Sequence, residues 1–159
     1  MRRPLLFLAL VVTVVVGFPA TGRSAAVWHP APEPTHPSEG RTLAHEVVKF
    51  ARRQIGVPYR YGGSSRSTGF DCSGLVYAAY LSIGKTIPRS SWEQLHAGRP
   101  VRFADLRAGD LLFTEGGGHV QLVVSSRVAI SAPETGERVR YVAMAELRGR
   151  FAGARRLLN

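Results

Sequence analysis

The chain has 159 residues, of which 45% are hydrophobic and 20% charged, a composition typical of one compact globular domain. Lysines and arginines number 21 against 11 acidic residues. The single cysteine excludes an internal disulfide and a zinc or iron–sulfur site built from cysteines. No segment of about 20–50 residues recurs, which excludes a repeat array.

The amino terminus has the pattern of a secretory signal peptide. Met1-Arg2-Arg3 is a short cationic start, and an apolar run from Leu5 to Phe18 and the small residues Ser24-Ala25-Ala26 follow it. The run is shorter than the ~20 residues that a membrane-spanning helix needs. We expect residues 1–26 to be a cleaved signal peptide of a protein secreted to the bacterial cell wall or periplasm, with no membrane span left after cleavage. An uncleaved amino-terminal anchor is the alternative.

Residues 27–40 are rich in proline, which predicts an extended linker before a domain at 41–159. We interpret His29 and His36 as mobile linker side chains rather than metal ligands. Without the signal peptide, 18 basic residues face 11 acidic ones, a net charge near +7. This charge favours contact with anionic polymers or lipid headgroups. Basic runs interleaved with aromatic residues are missing, so no nucleic-acid partner is expected.

The domain begins with helical periodicity and ends with strand periodicity. Thr42 is the expected N-cap of the first helix and Gly56 its stop. A glycine- and serine-rich loop follows, which lacks the ending of a phosphate-binding loop. Helices are predicted over residues 42–55, 72–83 and 90–95, and strands over 110–113, 119–125, 127–131 and 139–142. Helices followed by an antiparallel meander make an α+β fold.

Cys72 and His119 are the candidate reactive residues. Cys72 begins a predicted helix, where free N–H groups and the helix dipole are expected to lower its pKa. His119 begins an apolar strand after three glycines. A cysteine with a distant histidine is typical of thiol-based acyl transfer. The alternative for a lone cysteine is a small buried apolar residue.

Several motifs follow one another in a fixed order. They are Tyr59-Arg60-Tyr61-Gly62-Gly63, Phe70-Asp71-Cys72-Ser73-Gly74, Pro88-Arg89-Ser90, Gln94, Gly109-Asp110-Leu111 and His119-Val120. With these motifs in this order, the sequence over most of residues 41–142 resembles the NlpC family of papain-like cysteine endopeptidases, which cleave bacterial cell-wall stem peptides. The resemblance implies a papain-like fold with amino-terminal helices packed on an antiparallel β-meander. It also implies hydrolysis of the amide between D-glutamate and a diamino acid, with no cofactor or metal.

The resemblance assigns catalytic roles to three residues. Cys72 would be the nucleophile, and His119 its base and the acid that protonates the leaving amine. The hydroxyl of Tyr59 and the N–H of Cys72 would stabilise the oxyanion of a reaction that passes through a thioester.

The resemblance also assigns residues to the substrate groove. Asp71 and Ser73 match positions that contact the amino-terminal side of the substrate, and Asp71 also suits a helix N-cap. Arg89 and Ser90 resemble groove-wall residues. Trp92 suits the groove or the core.

The chain departs from the family pattern at the group expected to orient the histidine. The family usually has a histidine about a dozen residues after the base, where this chain has Ser131. A turn at residues 125–127 would place Ser131 opposite Gln121 and diagonal to His119, at about 7–8 Å, which is long for a serine. Gln121, where the family commonly has glycine, is counted with the substrate-binding residues. Gln121, Ser131 or a bridging water is expected to orient His119.

Three other functions stay open. A catalytically inactive relative that binds wall peptides is suggested by Ser131, and a thiol amidase or acyltransferase with another substrate would use the same residues. A structural or adhesive protein would not need Cys72 and His119 together. The sequence leaves open the oligomeric state and whether a regulatory protein partner activates the enzyme.

Overall fold

The computed structural model describes residues 37–159, so the expected signal peptide and the linker up to residue 36 lie outside the described residues. Within this range no helix is long and apolar enough to cross a membrane. The helices are α1 (Pro37–Arg52), α2 (Cys72–Leu81), α3 (Ser91–Gln94) and α4 (Met144–Arg148). The strands are β1 (Ser64–Ser65), β2 (Gly69–Phe70), β3 (Arg99–Pro100), β4 (Leu111–Thr114), β5 (His119–Val123), β6 (Val128–Ser131), β7 (Arg140–Ala143) and β8 (Phe151–Arg156).

Helix α1 begins five residues before the predicted start. Proline suits the first helical turn, because a backbone N–H at that position would have no carbonyl partner within the helix. Glu39 complements the positive end of the helix dipole. Thr42 is not a cap, because its hydroxyl donates to the carbonyl of Ser38 inside the helix. The predicted linker over residues 27–40 is therefore wrong for its last four residues, where the proline-rich composition hid the helix start.

Helix α2 lies at the centre of the molecule. It packs against α1 on one side and β5 on the other, and most of its residues are buried. Asp71 caps its amino end, and the carboxyl end is followed by Gly84 at φ +78°, a backbone conformation that favours glycine. The predicted helix over residues 72–83 is confirmed except for its last two residues.

The main sheet is antiparallel throughout, with the strand order β3-β8-β4-β5-β6-β7. The predicted meander is confirmed for β4 to β7, which are neighbours in chain order. Strand β8 was not predicted. Its sequence, FAGARR, has no regular apolar alternation, and pairing with β3 and β4 on its two sides determines its place.

The sheet buries apolar residues on both faces. On the face that packs against α1 and α2 lie Leu111, Phe113, Val120, Leu122 and Ile130. On the other face lie Leu112, Val123, Ala129 and Val142, together with Met144 and Leu147 of α4. Because side chains alternate along a strand, His119 and Gln121 lie on the face that carries α4.

Arg156 at the end of β8 forms a buried ion pair with Asp110, the residue before β4. Both carboxylate oxygens accept from the guanidinium at 2.6 Å, and the Asp110 side chain is 1% exposed. The carboxylate also accepts from the backbone N–H of Arg107. The pair therefore attaches the last strand to the centre of the sheet.

We expect Arg156→Met to lower the free energy of unfolding by about 3–5 kcal/mol, because it leaves the Asp110 carboxylate buried without its partner charge. Urea unfolding monitored by circular dichroism measures the change. Arg102→Met is the matched control, because Arg102 pairs with Asp105 at an exposed site and its loss should leave the midpoint unchanged. Equal midpoints for the wild type and Arg156→Met would contradict the prediction.

Candidate active site

The loop that carries Tyr59 is held against the strand before Cys72 by backbone hydrogen bonds. The N–H of Arg60 donates to the carbonyl of Phe70 at 2.9 Å, and the N–H of Phe70 donates to the carbonyl of Pro58 at 3.2 Å. These bonds place Tyr59 near the thiol. Burial, and then the charges of Cys72 and Asp71, raise the pKa of Tyr59, so its hydroxyl stays protonated at neutral pH and can donate a hydrogen bond.

Asp71 joins the loop, the helix and Arg89. One carboxylate oxygen accepts from the backbone N–H of Gly74 at 2.6 Å and the other from that of Gly62 at 2.8 Å. The guanidinium of Arg89 donates to both oxygens, at 2.9 and 2.8 Å. Burial works against the carboxylate, but the bonds from Arg89 and Gly74 outweigh it and lower the pKa of Asp71. The predicted N-cap is confirmed.

The other predicted groove residues lie around this carboxylate. The hydroxyl of Ser73 donates to Asp71 and accepts from Arg89 at 3.0 Å. Ser90 caps α3 in a reciprocal pair with Glu93. The structure thus brings Asp71, Ser73 and Arg89 into one network, whereas Ser90 serves the neighbouring helix.

Gly74 lies in close contact with the Tyr59 loop. A Cβ atom at this position would lie 2.0 Å from the carbonyl oxygen of Gly63 and 2.9 Å from the Asp71 carboxylate. Only glycine lets the first turn of α2 approach the loop so closely. The glycine of the Asp-Cys-Ser-Gly motif is therefore required by packing.

Cys72 lies at the first position of α2, with its sulfur at the start of β5. The backbone N–H groups of Val120 and Ser73 favour the thiolate, and the charge of Asp71 opposes it. Burial is the largest effect, and it raises the pKa of the Cys72 thiol. The expected lowering by the helix terminus is therefore wrong for the free protein, because desolvation outweighs the N–H groups.

His119 is hydrogen-bonded to Ser131, with 2.9 Å between Nε2 and Oγ. Strands β5 and β6 pair Leu122 with Ile130, and the same register continued places Gln121 opposite Ser131, as predicted. The serine nevertheless reaches the ring, so the concern about its length is wrong: the imidazole spans the diagonal between the strands. Within residues 37–159, Nδ1 of His119 makes no hydrogen bond.

Gln121 makes no hydrogen bond with His119 in the described residues. Its side chain is 2% exposed, and its amide nitrogen donates to the hydroxyl of Thr114 at 3.1 Å, while its amide oxygen has no partner in the described residues. Of the two side chains expected to orient the histidine, Ser131 makes the direct bond and Gln121 does not. Gln121 lines the same polar cavity as His119 and Ser131, and its assignment to substrate binding stays a prediction.

A polar cavity of about 300 Å³ lies on the Ser131 side of His119. Its charged lining consists of Glu115, Glu134, Glu137, Glu146, Arg140 and Arg150. Each arginine pairs with one glutamate, Arg150 with Glu115 and Arg140 with Glu137. Among the described residues, Glu134 and Glu146 make no ion pair, so the cavity is negatively charged.

The charges of this cavity act on the imidazole. Burial is the largest effect and lowers the pKa of His119. The charges of Glu115 and Glu134 raise this pKa, and the charge of Arg150 lowers it. The sequence analysis missed Glu115 and Glu134, because no local pattern indicates that two glutamates on separate loops approach the same ring.

Trp92 lies at the surface beside the turn before His119. It is 56% exposed, and its ring lies beside Gly117 and Gly118. A Cβ atom on Gly117 would lie 3.2 Å from this ring and 2.6 Å from Leu95. The core alternative for Trp92 is therefore wrong.

The site combines the Cys72 thiol, which lies at the backbone N–H groups of Val120 and Ser73, with the imidazole of His119, the residue before Val120. A thiol next to a base can attack a carbonyl carbon, and the donors can stabilise the resulting oxyanion. This chemistry is acyl transfer.

Comparisons with known proteins agree with this chemistry. The murein DD-endopeptidase MepH of Escherichia coli is 42% identical over 134 residues, which are 78% of this chain and 49% of MepH. The gamma-D-glutamyl-L-lysine dipeptidyl-peptidase of Bacillus subtilis is 36% identical over 115 residues, 69% of this chain and 38% of that protein. The chain thus spans about half the length or less of these two relatives.

The solved structure of the peptidoglycan hydrolase RipB from Mycobacterium tuberculosis superposes with a TM-score of 0.70 at 32% identity, covering 81% of this chain and 74% of RipB. The family model described as the NlpC/P60 family matches residues 56–155. The predicted family and the papain-like α+β fold are confirmed, and the chain belongs to the NlpC/P60 family.

Proposed function

We propose that this protein is an exported cysteine endopeptidase that hydrolyses amide bonds in peptidoglycan stem peptides. The observation that carries the proposal is the bond between His119 and Ser131, together with the Cys72 sulfur at the N–H of Val120, the residue that follows His119. The names of the relatives from Escherichia coli and Bacillus subtilis support a substrate in the cell wall. Action on the wall in turn supports a location outside the cytoplasm.

The first half of the reaction forms a thioester. The proton of Cys72 passes to Nδ1 of His119, and the thiolate adds to the amide carbon. The hydroxyl of Tyr59 and the N–H of Cys72 donate to the oxyanion. His119 then returns the proton to the nitrogen, the carbon–nitrogen bond breaks, and the amine leaves.

The second half hydrolyses the thioester. A water molecule gives a proton to His119 and adds its oxygen to the thioester carbon. The carbon–sulfur bond breaks, the carboxylic acid leaves, and the proton returns to the sulfur. The neutral thiol of Cys72 and the neutral imidazole of His119 are thereby regenerated, and the proposed reaction uses no cofactor.

Burial explains why the proton moves within the pair. It disfavours both a lone thiolate and a lone imidazolium, since it raises the pKa of Cys72 and lowers that of His119. The two charges together attract each other, and the N–H of Val120 and the carboxylate of Glu134 favour one charge each. The neutral thiol and imidazole are therefore the resting form, and the ion pair forms when the proton passes to His119.

The bond that we propose to be cleaved joins D-glutamate to the diamino acid. The name of the Bacillus subtilis relative supports this bond, whereas that of MepH describes a DD-endopeptidase. Mass spectrometry of digested muropeptides distinguishes the two, because cleavage at D-glutamate and cleavage of a D,D-crosslink release fragments of different mass.

We expect Cys72→Ala and His119→Ala each to lower the cleavage rate of stem peptides by about 10³-fold or more, because neither half-reaction can proceed without both groups. Release of the new amino terminus from a purified stem peptide measures the rate. The control is Ser126→Ala, which lies at an exposed turn and should keep the wild-type cleavage rate. A wild type as inactive as Cys72→Ala over the whole pH range would favour the wall-peptide-binding alternative.

We expect Ser131→Ala to lower kcat about 5–100-fold with little change in KM. Loss of this hydrogen bond removes roughly 1–3 kcal/mol of orientation for the imidazole, at about 1.4 kcal/mol per tenfold in rate. Ser131→Thr, which keeps the hydroxyl, should retain more activity than the alanine variant. Full activity of Ser131→Ala would show that the serine does not orient His119.

We expect Glu134→Gln to lower the pKa of His119, because the nearby carboxylate stabilises the imidazolium and its removal takes that stabilisation away. His119 must be neutral to accept the proton of Cys72, so the acidic limb of the pH–rate profile should move to lower pH, more at low salt than at high salt. NMR titration of the ring protons measures the pKa directly. Glu46→Gln on α1, where Glu46 pairs with Lys49, should leave the pKa unchanged; an equal shift in both variants would contradict the prediction.

A further inference from the structure

Two adjacent clefts along α1 are lined by cationic side chains. The first, of about 470 Å³, is lined by Arg41, His45, Val48, Lys49, Arg52, Arg53, Ala108 and Val124. The second, of about 330 Å³, shares Arg41 and Ala108 with the first and adds Arg99, Arg107 and the Arg156–Asp110 pair. Because they share two residues, the clefts form one continuous surface, which we call the basic surface.

Most cationic side chains of the basic surface make no ion pair among the described residues, although the charge of Asp105 acts on Arg107 and Arg156. Lys49 pairs with Glu46, and Arg156 pairs with Asp110. Within residues 37–159, no ion pair joins an acidic side chain to the other arginines of the two clefts, which are Arg41, Arg52, Arg53, Arg99 and Arg107. The first cleft has no acidic lining residue.

The basic surface is separate from the thiol. The hydroxyl of Tyr80 donates to the carbonyl of Gly109 at 2.7 Å, and Gly109 lines the second cleft. Tyr80 lies eight residues after Cys72 on the same helix, or about 12 Å along its axis. A ligand on the basic surface therefore does not occupy the substrate groove.

The shape and composition of the basic surface favour a linear polymer over a membrane. The apolar lining residues Val48 and Val124 are buried. The exposed large apolar side chains of the described residues lie elsewhere and are Tyr61, Leu81, Trp92 and Tyr141. Helices that lie on bilayers insert apolar residues below the headgroups, and this surface offers none.

The arginines favour phosphate groups. A guanidinium donates two parallel hydrogen bonds to a phosphate or a carboxylate. Arg41 and Arg107 both line the second cleft, so a phosphate group bound there has more than one guanidinium around it. Arginine is the side chain of choice for recognising phosphate groups in proteins.

We propose that the basic surface binds a linear polymer that carries phosphate groups in its backbone, and so holds the protein where that polymer is present. The binding does not require the proposed peptidase activity. It acts as a second point of attachment, which raises the local concentration of the protein at the wall.

Binding of fluorescent long-chain polyphosphate to the full chain tests the proposal. We expect affinity to fall about 100-fold between 50 and 200 mM salt, as for about four phosphate contacts. The triple variant Arg41→Gln, Arg52→Gln, Arg107→Gln should bind about 10–100-fold more weakly at low salt. The control triple variant Arg127→Gln, Arg138→Gln, Arg148→Gln removes the same charge outside the clefts and should bind as the wild type does.

Three further measurements make the outcome decisive. The triple variant should keep the wild-type cleavage rate on a short soluble stem peptide. Cys72→Ala should keep the wild-type affinity for polyphosphate. A failure of the peptidase proposal can therefore be told apart from a failure of the binding proposal. Vesicles with phosphatidylglycerol and a polyglutamate of equal length are the competing ligands. Equal weakening in the control variant, tighter binding to vesicles or polyglutamate, or no binding of polyphosphate would each overturn the proposal.

Discussion

The carboxylate of Asp71 is the interaction on which the site depends. It accepts hydrogen bonds from the Tyr59 loop through Gly62, from the first turn of α2 through Gly74, and from Arg89. These contacts fix the residue before Cys72 and hence the position of the sulfur. A carboxylate with so many donors stays ionised at neutral pH, so the same group caps the helix and holds the groove wall.

The site balances burial against charge. Desolvation favours the neutral thiol and the neutral imidazole, while a few fixed dipoles and the negative cavity favour the ion pair. Ser131 contributes a hydrogen bond but no charge, and the glutamates behind it supply the charge at longer range. The orienting and the electrostatic roles, which a single charged side chain could combine, are thereby divided among separate residues.

Short-range signals in the sequence predicted much of this molecule. The cap at Asp71, the second helix and the register of β5 with β6 all follow from local patterns, and the register placed Ser131 correctly. Its distance from His119 did not follow, since it depends on how the ring spans two strands. The sequence did not predict that the pKa of Cys72 is raised, because the burial of the thiol depends on the whole fold. It did not predict the place of β8 either, because pairing with β3 and β4 determines that place.

The position of β8 has a consequence for biosynthesis. This strand is the last of the described strands in chain order, yet it lies inside the sheet, between β3 and β4. Until it leaves the ribosome, one side of β4 lacks its hydrogen-bonding partner, and Asp110 lacks its guanidinium. The domain therefore stays incomplete until residues 151–156 have been made, and the open edge of β4 needs protection from aggregation until then.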